Sequence, residues 1–362
     1  MHEFEQTMTR YHRTSEAVSP AHPDKVADQV SDGILDALLK IDKDARVAIE
    51  TMIGHKKINV VGEVTTKHDM TEADLAILTQ EVIQRVFENN GYGKEKTGDY
   101  DASIVIANQS LDIARGVDTG GAGDQGIMIG YACRGNEAMI PPELWYARQI
   151  LRRVWDRYGA RDMKSQVTLD PSGRPTNVVV SAERLTRRDI ESAVDFNQLF
   201  SKVDVVRYIN PAGDWVGGFD ADTGLTGRKI VQDAYGTGVR VGGGAFSGKD
   251  GTKVDRSAAY MARRVAIIAL DKYPDLFDCT VQVAYGIGIA EPLVIEISGM
   301  ADGGNYVVKL DEDVELPELR KMFEPKNMIE QLKLNTPIFE ETARWGHFGN
   351  GFEWDKKPKP EV

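Results

Sequence analysis

The chain has 362 residues, 41% hydrophobic and 28% charged, ordinary figures for a soluble globular protein and enough length for two or three domains. Its 44 basic against 56 acidic residues leave a net charge of −12. That balance argues against bulk nucleic-acid or anionic-membrane binding, while leaving room for local basic pockets. No run of about 18 apolar residues is present to span a membrane, and residues 1–13 are polar with no signal-peptide core. The two cysteines, Cys133 and Cys279, match no metal spacing, so buried thiols in a reducing, cytoplasmic setting are expected.

In chain order, Pro23 opens a predicted helix over 23–40, with Val26, Val30, Ile34 and Leu38 recurring on one face. Strands over 46–53 and 58–66 follow around the turn Gly54-His55-Lys56-Lys57. Thr71 and Asp74 form a capping pattern for a helix over 71–89, and 102–107 reads as a closing strand. The same order then returns. A helix over 142–158 starts at Pro142, strands 165–170 and 176–181 flank a Pro- and Gly-containing turn, Thr186 and Asp189 open a helix over 186–201, and 203–209 closes as a strand. A third round has a helix over 254–272, strands 280–285 and 293–298, and a short helix near 316–323.

This spacing of roughly 110–120 residues is too long for a solenoid and predicts three similar α+β domains. Each sheet is expected to be mostly antiparallel and covered by helices on one face. Apolar residues at both parities, as in Ile104-Val105-Ile106 and Val178-Val179-Val180, call for burial on both faces, which self-association would supply.

Several stretches could carry chemistry. Gly243–Lys249 spells G-x-x-x-x-G-K, but Asp250 replaces the hydroxyl residue of a P-loop and no apolar strand leads into it. Lys249, Lys253 and Asp255 still cluster beside a glycine-rich loop, a pattern suited to a polyanion and its metal or to a plain charged turn. His22-Pro23-Asp24-Lys25 sits at a helix N-terminus, where anions are favoured, though Asp24 could simply complement the dipole. Gly121–Gly126 contains G-x-G-x-x-G without the strand before it that a dinucleotide fingerprint needs. Arg228 and Lys229 follow a Gly-bounded turn, and Lys164 opens a strand; singly, each reads as a solvated charge.

Taken together, the runs 14–25, 121–126, 224–230, 242–260 and 341–349 closely resemble S-adenosylmethionine synthetase, and the resemblance extends over about residues 12–352. It implies three α+β domains related by a pseudo-threefold: residues 1–109, a lid or linker at 110–121, 122–215 and 216–362, with exchange of segments between domains allowed. It implies ATP and L-methionine as substrates, a homodimer or homotetramer with sites between subunits, magnesium (two ions per site) and potassium, and no nucleic-acid or membrane partner.

The same resemblance assigns roles by position. His22 would contact the triphosphate near the bond that breaks. Asp24 and Asp255 would hold magnesium, and Glu50 potassium. Lys164, Arg228, Lys229 and Lys249 would grip phosphates, with Ala245 against the nucleotide. Asp124, Asp162, Asp214, Trp215 and Asp222 would contact ATP, Trp215 by stacking on adenine. Glu63, Gln109, Asp222 and Lys253 would position methionine. A thioether needs no general base, so alignment and charge stabilisation must carry the reaction. Departures from the family pattern include Pro20-Ala21 before His22, Met163 between Asp162 and Lys164, and Gly251. The competing readings are a triphosphatase or kinase using only the phosphate half of the site, and a non-catalytic regulatory subunit.

Overall fold

The computed structural model describes residues 11–93, 99–108, 120–301, 304–308 and 315–357. In chain order its first part runs β1 (Arg13–Val18), α1 (Pro23–Ile41), β2 (Arg46–Gly54), β3 (Lys57–Thr65), α2 (Glu72–Asn89) and β4 (Asp101–Asn108). Next come β5 (Gly126–Cys133), α3 (Pro142–Tyr158), β6 (Met163–Leu169), β7 (Pro175–Ala182), α4 (Arg187–Ala193), α5 (Phe196–Leu199) and β8 (Val206–Ile209). The last part holds β9 (Gly224–Leu225), α6 (Ile230–Asp233), α7 (Val254–Lys272), β10 (Asp278–Tyr285), β11 (Val294–Ala301), β12 (Gly304–Val307), α8 (Glu315–Met322), α9 (Pro325–Leu332) and α10 (Phe339–Trp345). A 3-10 turn follows at Glu353–Asp355.

The expected three α+β units are present as three four-stranded sheets, ordered β4-β3-β2-β9, β1-β6-β7-β8 and β12-β11-β10-β5. Their hairpins are antiparallel, as expected, but β3–β4 and β7–β8 are parallel. The sheets also trade strands. β1 pairs with β6 of the second sheet, β5 with β10 of the third, and β9 with β2 of the first. No local pattern encodes such pairing, because it is set by which apolar edge lies free when the chain returns.

Capping signals fixed several helix starts. Thr71 with Asp74 and Thr186 with Asp189 form reciprocal capping boxes, and Pro23 and Pro142 occupy first-turn positions. The helix expected over 186–201 is broken at Val194, which is extended, and Asp195 then caps a separate short turn, α5. The closing strand is correspondingly shorter, beginning at Val206 rather than 203.

The fold centres on α1. Its apolar face, Val26, Val30, Ile34 and Leu38, is fully buried, yet so are Asp24, Lys25, Asp28 and Asp32 on the rest of its surface. α10 and α2 pack against it, and β2 and β9 lie alongside. α7 is the matching helix of the third sheet and is likewise buried along most of its length. The C-terminal segment ties into α7: Tyr260 stacks on Trp354 at 3.8 Å and its hydroxyl meets His347 Nδ1 at 2.5 Å. The Trp354 indole N–H donates to the His347 carbonyl at 2.7 Å. Trp354→Ala removes a fully buried ring and its hydrogen bond, so urea unfolding should show a loss of about 3–5 kcal/mol; an unchanged midpoint would contradict this packing.

Candidate active site

The N-terminus of α1 meets the turn after β9, and the two carry a cluster of opposite charges. His22 is the N-cap, 1% exposed, and its Nδ1 accepts the Asp24 N–H at 3.2 Å. The neutral ring must then carry its proton on Nε2, which lies 4.0 Å from Asp222 Oδ2. Burial first, then the charges of Lys229, Lys164 and Arg228, push the His22 pKa down to about 3. His22 is therefore a neutral donor across the physiological range.

Asp24 is wholly buried. Its Oδ1 accepts the Leu225 N–H at 3.0 Å and faces Arg228 Nε at 2.7 Å, while Oδ2 meets Lys229 Nζ at 2.5 Å. Burial pushes this carboxyl up, but Lys229, the Leu225 N–H and Arg228 outweigh it and hold Asp24 below the usual range. One ligand atom each from His22, Asp24 and Asp222 lie within 4.8 Å of one another.

A second acid–lysine pair stands at the loop leading to α7. Lys249 Nζ donates to Asp255 Oδ2 at 2.7 Å. The loop docks on β2 through the Ile49 N–H, which donates to the Gly248 carbonyl at 3.0 Å. No strand precedes it and the helix starts only at Val254, so the P-loop reading fails in the structure too. Ala245 lies beside Gly227, joining the two turns. Lys253 is engaged elsewhere: it donates to the buried Asp250 at 2.5 Å, and Asp250 also accepts the Val47 N–H at 2.7 Å.

Asp162 approaches from the second sheet. It is 4% exposed, and its Oδ2 accepts the Gly218 N–H at 3.1 Å. Burial pushes its pKa up to about 6 against the Gly218 N–H and Lys164. Asp162 Oδ1 and the Trp215 indole N–H are both buried without a hydrogen-bond partner among the described residues. Such orphaned groups are costly unless a ligand or water completes them. Trp215, with Asp214, also lines a cavity of about 320 Å³ bounded by Arg184, Thr186 and Val216. Lys164 is exposed at the start of β6, opposite Val18, and its charge reaches both His22 and Asp162.

Glu50 and Glu63 sit on the face of β2 and β3 turned away from the core. Their neighbours there are apolar and open: Met52, Val61, Val105 and Leu225 are 39–58% exposed. Burial raises the Glu50 carboxyl, with Lys249 acting against it. Asp124 is exposed and accepts the neighbouring Gln125 N–H at 2.7 Å. G-x-G-x-x-G at 121–126 leads into β5, which excludes the dinucleotide fingerprint. Gln109 and residues 110–119 of the lid expected at 110–121 lie outside the described residues.

The sequence reading missed Asp28 and Asp32. Both are buried on α1 and reach the same two cation-bearing turns, through the Gly227 and Gly248 N–H groups at 2.8 Å each. The signal was present as an Asp at every fourth position from Asp24 to Asp36.

A buried helix N-terminus ringed by paired acids and cations is set on a three-sheet α+β frame. Comparison with known proteins narrows this. The chain matches the S-adenosylmethionine synthetase N-terminal domain over 10–111, the central domain over 119–215 and the C-terminal domain over 216–356. It is similar to the S-adenosylmethionine synthase of Parvibaculum lavamentivorans (39% identical, 95% of each chain) and that of Granulibacter bethesdensis (40%, covering 95% of this chain and 94% of the relative). Among solved structures it resembles an unusual S-adenosylmethionine synthetase from Campylobacter jejuni, with TM-score 0.80, 32% identity, and 96% and 97% of the two chains covered. The chain belongs to the S-adenosylmethionine synthetase family, and is a transferase of that class.

The His22 geometry sets a pH expectation. The folded pKa lies below the unfolded value of 6.5, so the unfolded chain binds this proton first. As pH falls from 6.5 towards 3, His22 therefore costs up to about 1.4 kcal/mol of stability per unit. Proton NMR should find the His22 ring neutral at pH 5; a titration centred near 6.5 would contradict its burial against three cations.

Proposed function

We propose that the chain makes S-adenosylmethionine from ATP and L-methionine by direct attack of the methionine sulfur on C5′ of ATP. A bond forms between sulfur and C5′, the C5′–O bond breaks, and its electron pair leaves on the triphosphate. The sulfur becomes a sulfonium, and water then cleaves the triphosphate to pyrophosphate and phosphate. The observation that carries this reading is the neutral, buried His22 donor set among Lys229, Arg228 and Lys164 at a helix N-terminus.

No proton has to move in the first step, which suits a site whose buried histidine is neutral. The His22 Nε2–H donates to the departing oxygen, and Arg228, Lys229, Lys249 and Lys164 balance the triphosphate charge. In the free chain Lys229 and Lys249 are each held by an acid, Asp24 and Asp255. A polyphosphate exchanges those contacts: each lysine turns to phosphate, and each carboxylate is freed. The freed oxygens, with Asp222 beside Asp24, are hard donors that fit magnesium. Bound there, magnesium would add further neutralisation of the triphosphate. For potassium this chain offers the Glu50 carboxylate.

The orphaned Asp162 Oδ1 and Trp215 N–H support an adenosine subsite, with Asp214 at the cavity rim. Glu63 and Asp222 would meet methionine, with Gln109; Lys253 would reach the methionine carboxylate only by releasing Asp250. Glu50 and Glu63 sit on an open apolar sheet face, which supports a homodimer closing over that face and placing the site between subunits. Two buried cysteines with raised thiols suit a reducing cytoplasm.

Incubation with ATP, magnesium and potassium, with and without L-methionine, should yield S-adenosylmethionine, pyrophosphate and phosphate only when methionine is present. Phosphate released regardless of methionine would make the chain a triphosphatase instead. Lys249→Met should lower turnover by about 10²-fold or more, as loss of one preorganised charge contact does; near-normal turnover would place Lys249 outside the site. Light scattering should report a dimer or larger, and a stable, active 40.0 kDa monomer would refute the shared site.

A further inference from the structure

The carboxylates of α1 form a ladder. Asp24, Asp28, Asp32 and Asp36 recur every fourth residue and are all buried. Each accepts backbone N–H groups from a segment far away in sequence. Asp24 takes Leu225 at 3.0 Å, Asp28 takes Gly227 at 2.8 Å, and Asp32 takes Gly248 at 2.8 Å. Asp36 takes Phe339 and Glu340, both at 2.9 Å, at the start of α10.

The two middle rungs repeat one device. Gly227 and Gly248 both have left-handed backbones, φ +79° and +84°. A side chain is excluded at each: a Cβ on Gly227 would lie 2.6 Å from that of Ala245, and one on Gly248 would strike the Ile49 carbonyl oxygen. In each turn a cation follows at once, Arg228 and Lys229 after Gly227, Lys249 after Gly248. Each rung also carries a buried counter-charge. Lys25 bridges Asp28 at 3.0 Å and Asp233 at 2.5 Å. Arg256 grips Asp32 with two contacts, 2.6 and 2.9 Å, and donates to the Lys249 carbonyl at 3.0 Å. The Lys249 turn is thus held from both sides, by Asp32 on its N–H and by Arg256 on its carbonyl.

We propose that Asp28 and Asp32 are positioning residues for the reaction, which set Lys229 and Lys249 through the N–H groups of Gly227 and Gly248. Neither carboxylate is free to touch substrate. Both act by fixing where a cation's backbone starts; Arg256 neutralises Asp32, and Lys25 is shared between Asp28 and Asp233. This inference rests on the polyphosphate reading of the site.

The sign of the effect separates positioning from charge. Removing a negative group near an anion site raises anion affinity by Coulomb's law. Losing the position of a cation lowers it. The measurement is calorimetric titration of the full-length protein with inorganic tripolyphosphate and magnesium. Asp32→Asn should weaken binding by about tenfold, and the same substitution in a Lys249→Met background should change nothing further, the signature of two residues acting as one unit. Asp28→Asn with Lys229→Met should behave in the same way, and this second cycle decides alone if Asp32→Asn does not fold. Independent, additive losses would mean that the ladder is only structural and would overturn the proposal, as would tighter binding in the single variants. A wild-type protein that makes S-adenosylmethionine yet behaves additively refutes the ladder alone; one that neither binds tripolyphosphate nor makes the product refutes the site reading with it.

Discussion

The structure depends on burying charge along α1. An uncompensated carboxylate in an interior costs far more than a typical domain can absorb, so such groups occur only where donors meet them. α1 places four of them inside the protein, and the donors come from residues 225–227, 248 and 339–340. The helix cannot be buried until those segments are in place, and the two cation turns, 225–227 and 248, are tied to β2 as well, through Ile49, Thr51 and Met52. Formation of the core and assembly of the site are consequently one event. Asp28 shows the strain of the arrangement: burial pushes its pKa up to about 7 even with Lys25 beside it.

The same charges are poised for a ligand. Asp24–Lys229 and Asp255–Lys249 hold acid and base together where water still reaches the lysines, at 16% and 22% exposure. The deeper pairs, Arg256–Asp32 and Lys25–Asp28, are sealed at 1% or less. Buried pairs of the second kind are hard to separate, whereas on the proposed polyphosphate reading the half-open pairs of the first kind exchange partners for phosphate and metal. The site thus has a fixed inner layer and an exchangeable outer one, built from the same two residue types.

Much of the fold was legible because local chemistry announces helix starts. Pro23, Pro142, Thr71 with Asp74, and Thr186 with Asp189 each mark one, and hairpin turns bound the strands between them. The break at Val194 was also written locally, in Asp195 as a fresh cap, but the apolar run through Phe196, Leu199 and Phe200 reads across it. Strand exchange left no trace of this kind, since β1 looks the same whichever sheet receives it. In the site, His22, Asp24, Lys229, Lys249 and Asp255 are close enough in sequence to glycines and helix starts to be singled out. Asp28 and Asp32 were hidden by coincidence: their period of four is also that of the apolar stripe Val26, Val30, Ile34 and Leu38, which took the whole explanation of the helix. Asp124 stands exposed, and its carboxylate accepts the neighbouring Gln125 N–H.

On the proposed reading, two acid–lysine pairs open to receive a polyphosphate. The most direct measurement is a crystal structure of the protein with a non-hydrolysable ATP analogue, methionine and magnesium. Lys229 and Lys249 are expected on phosphate oxygens and Asp24 and Asp255 turned from them to metal, with Asp28–Gly227 and Asp32–Gly248 unchanged. Phosphates bound elsewhere, with both acid–lysine pairs still closed, would contradict the account.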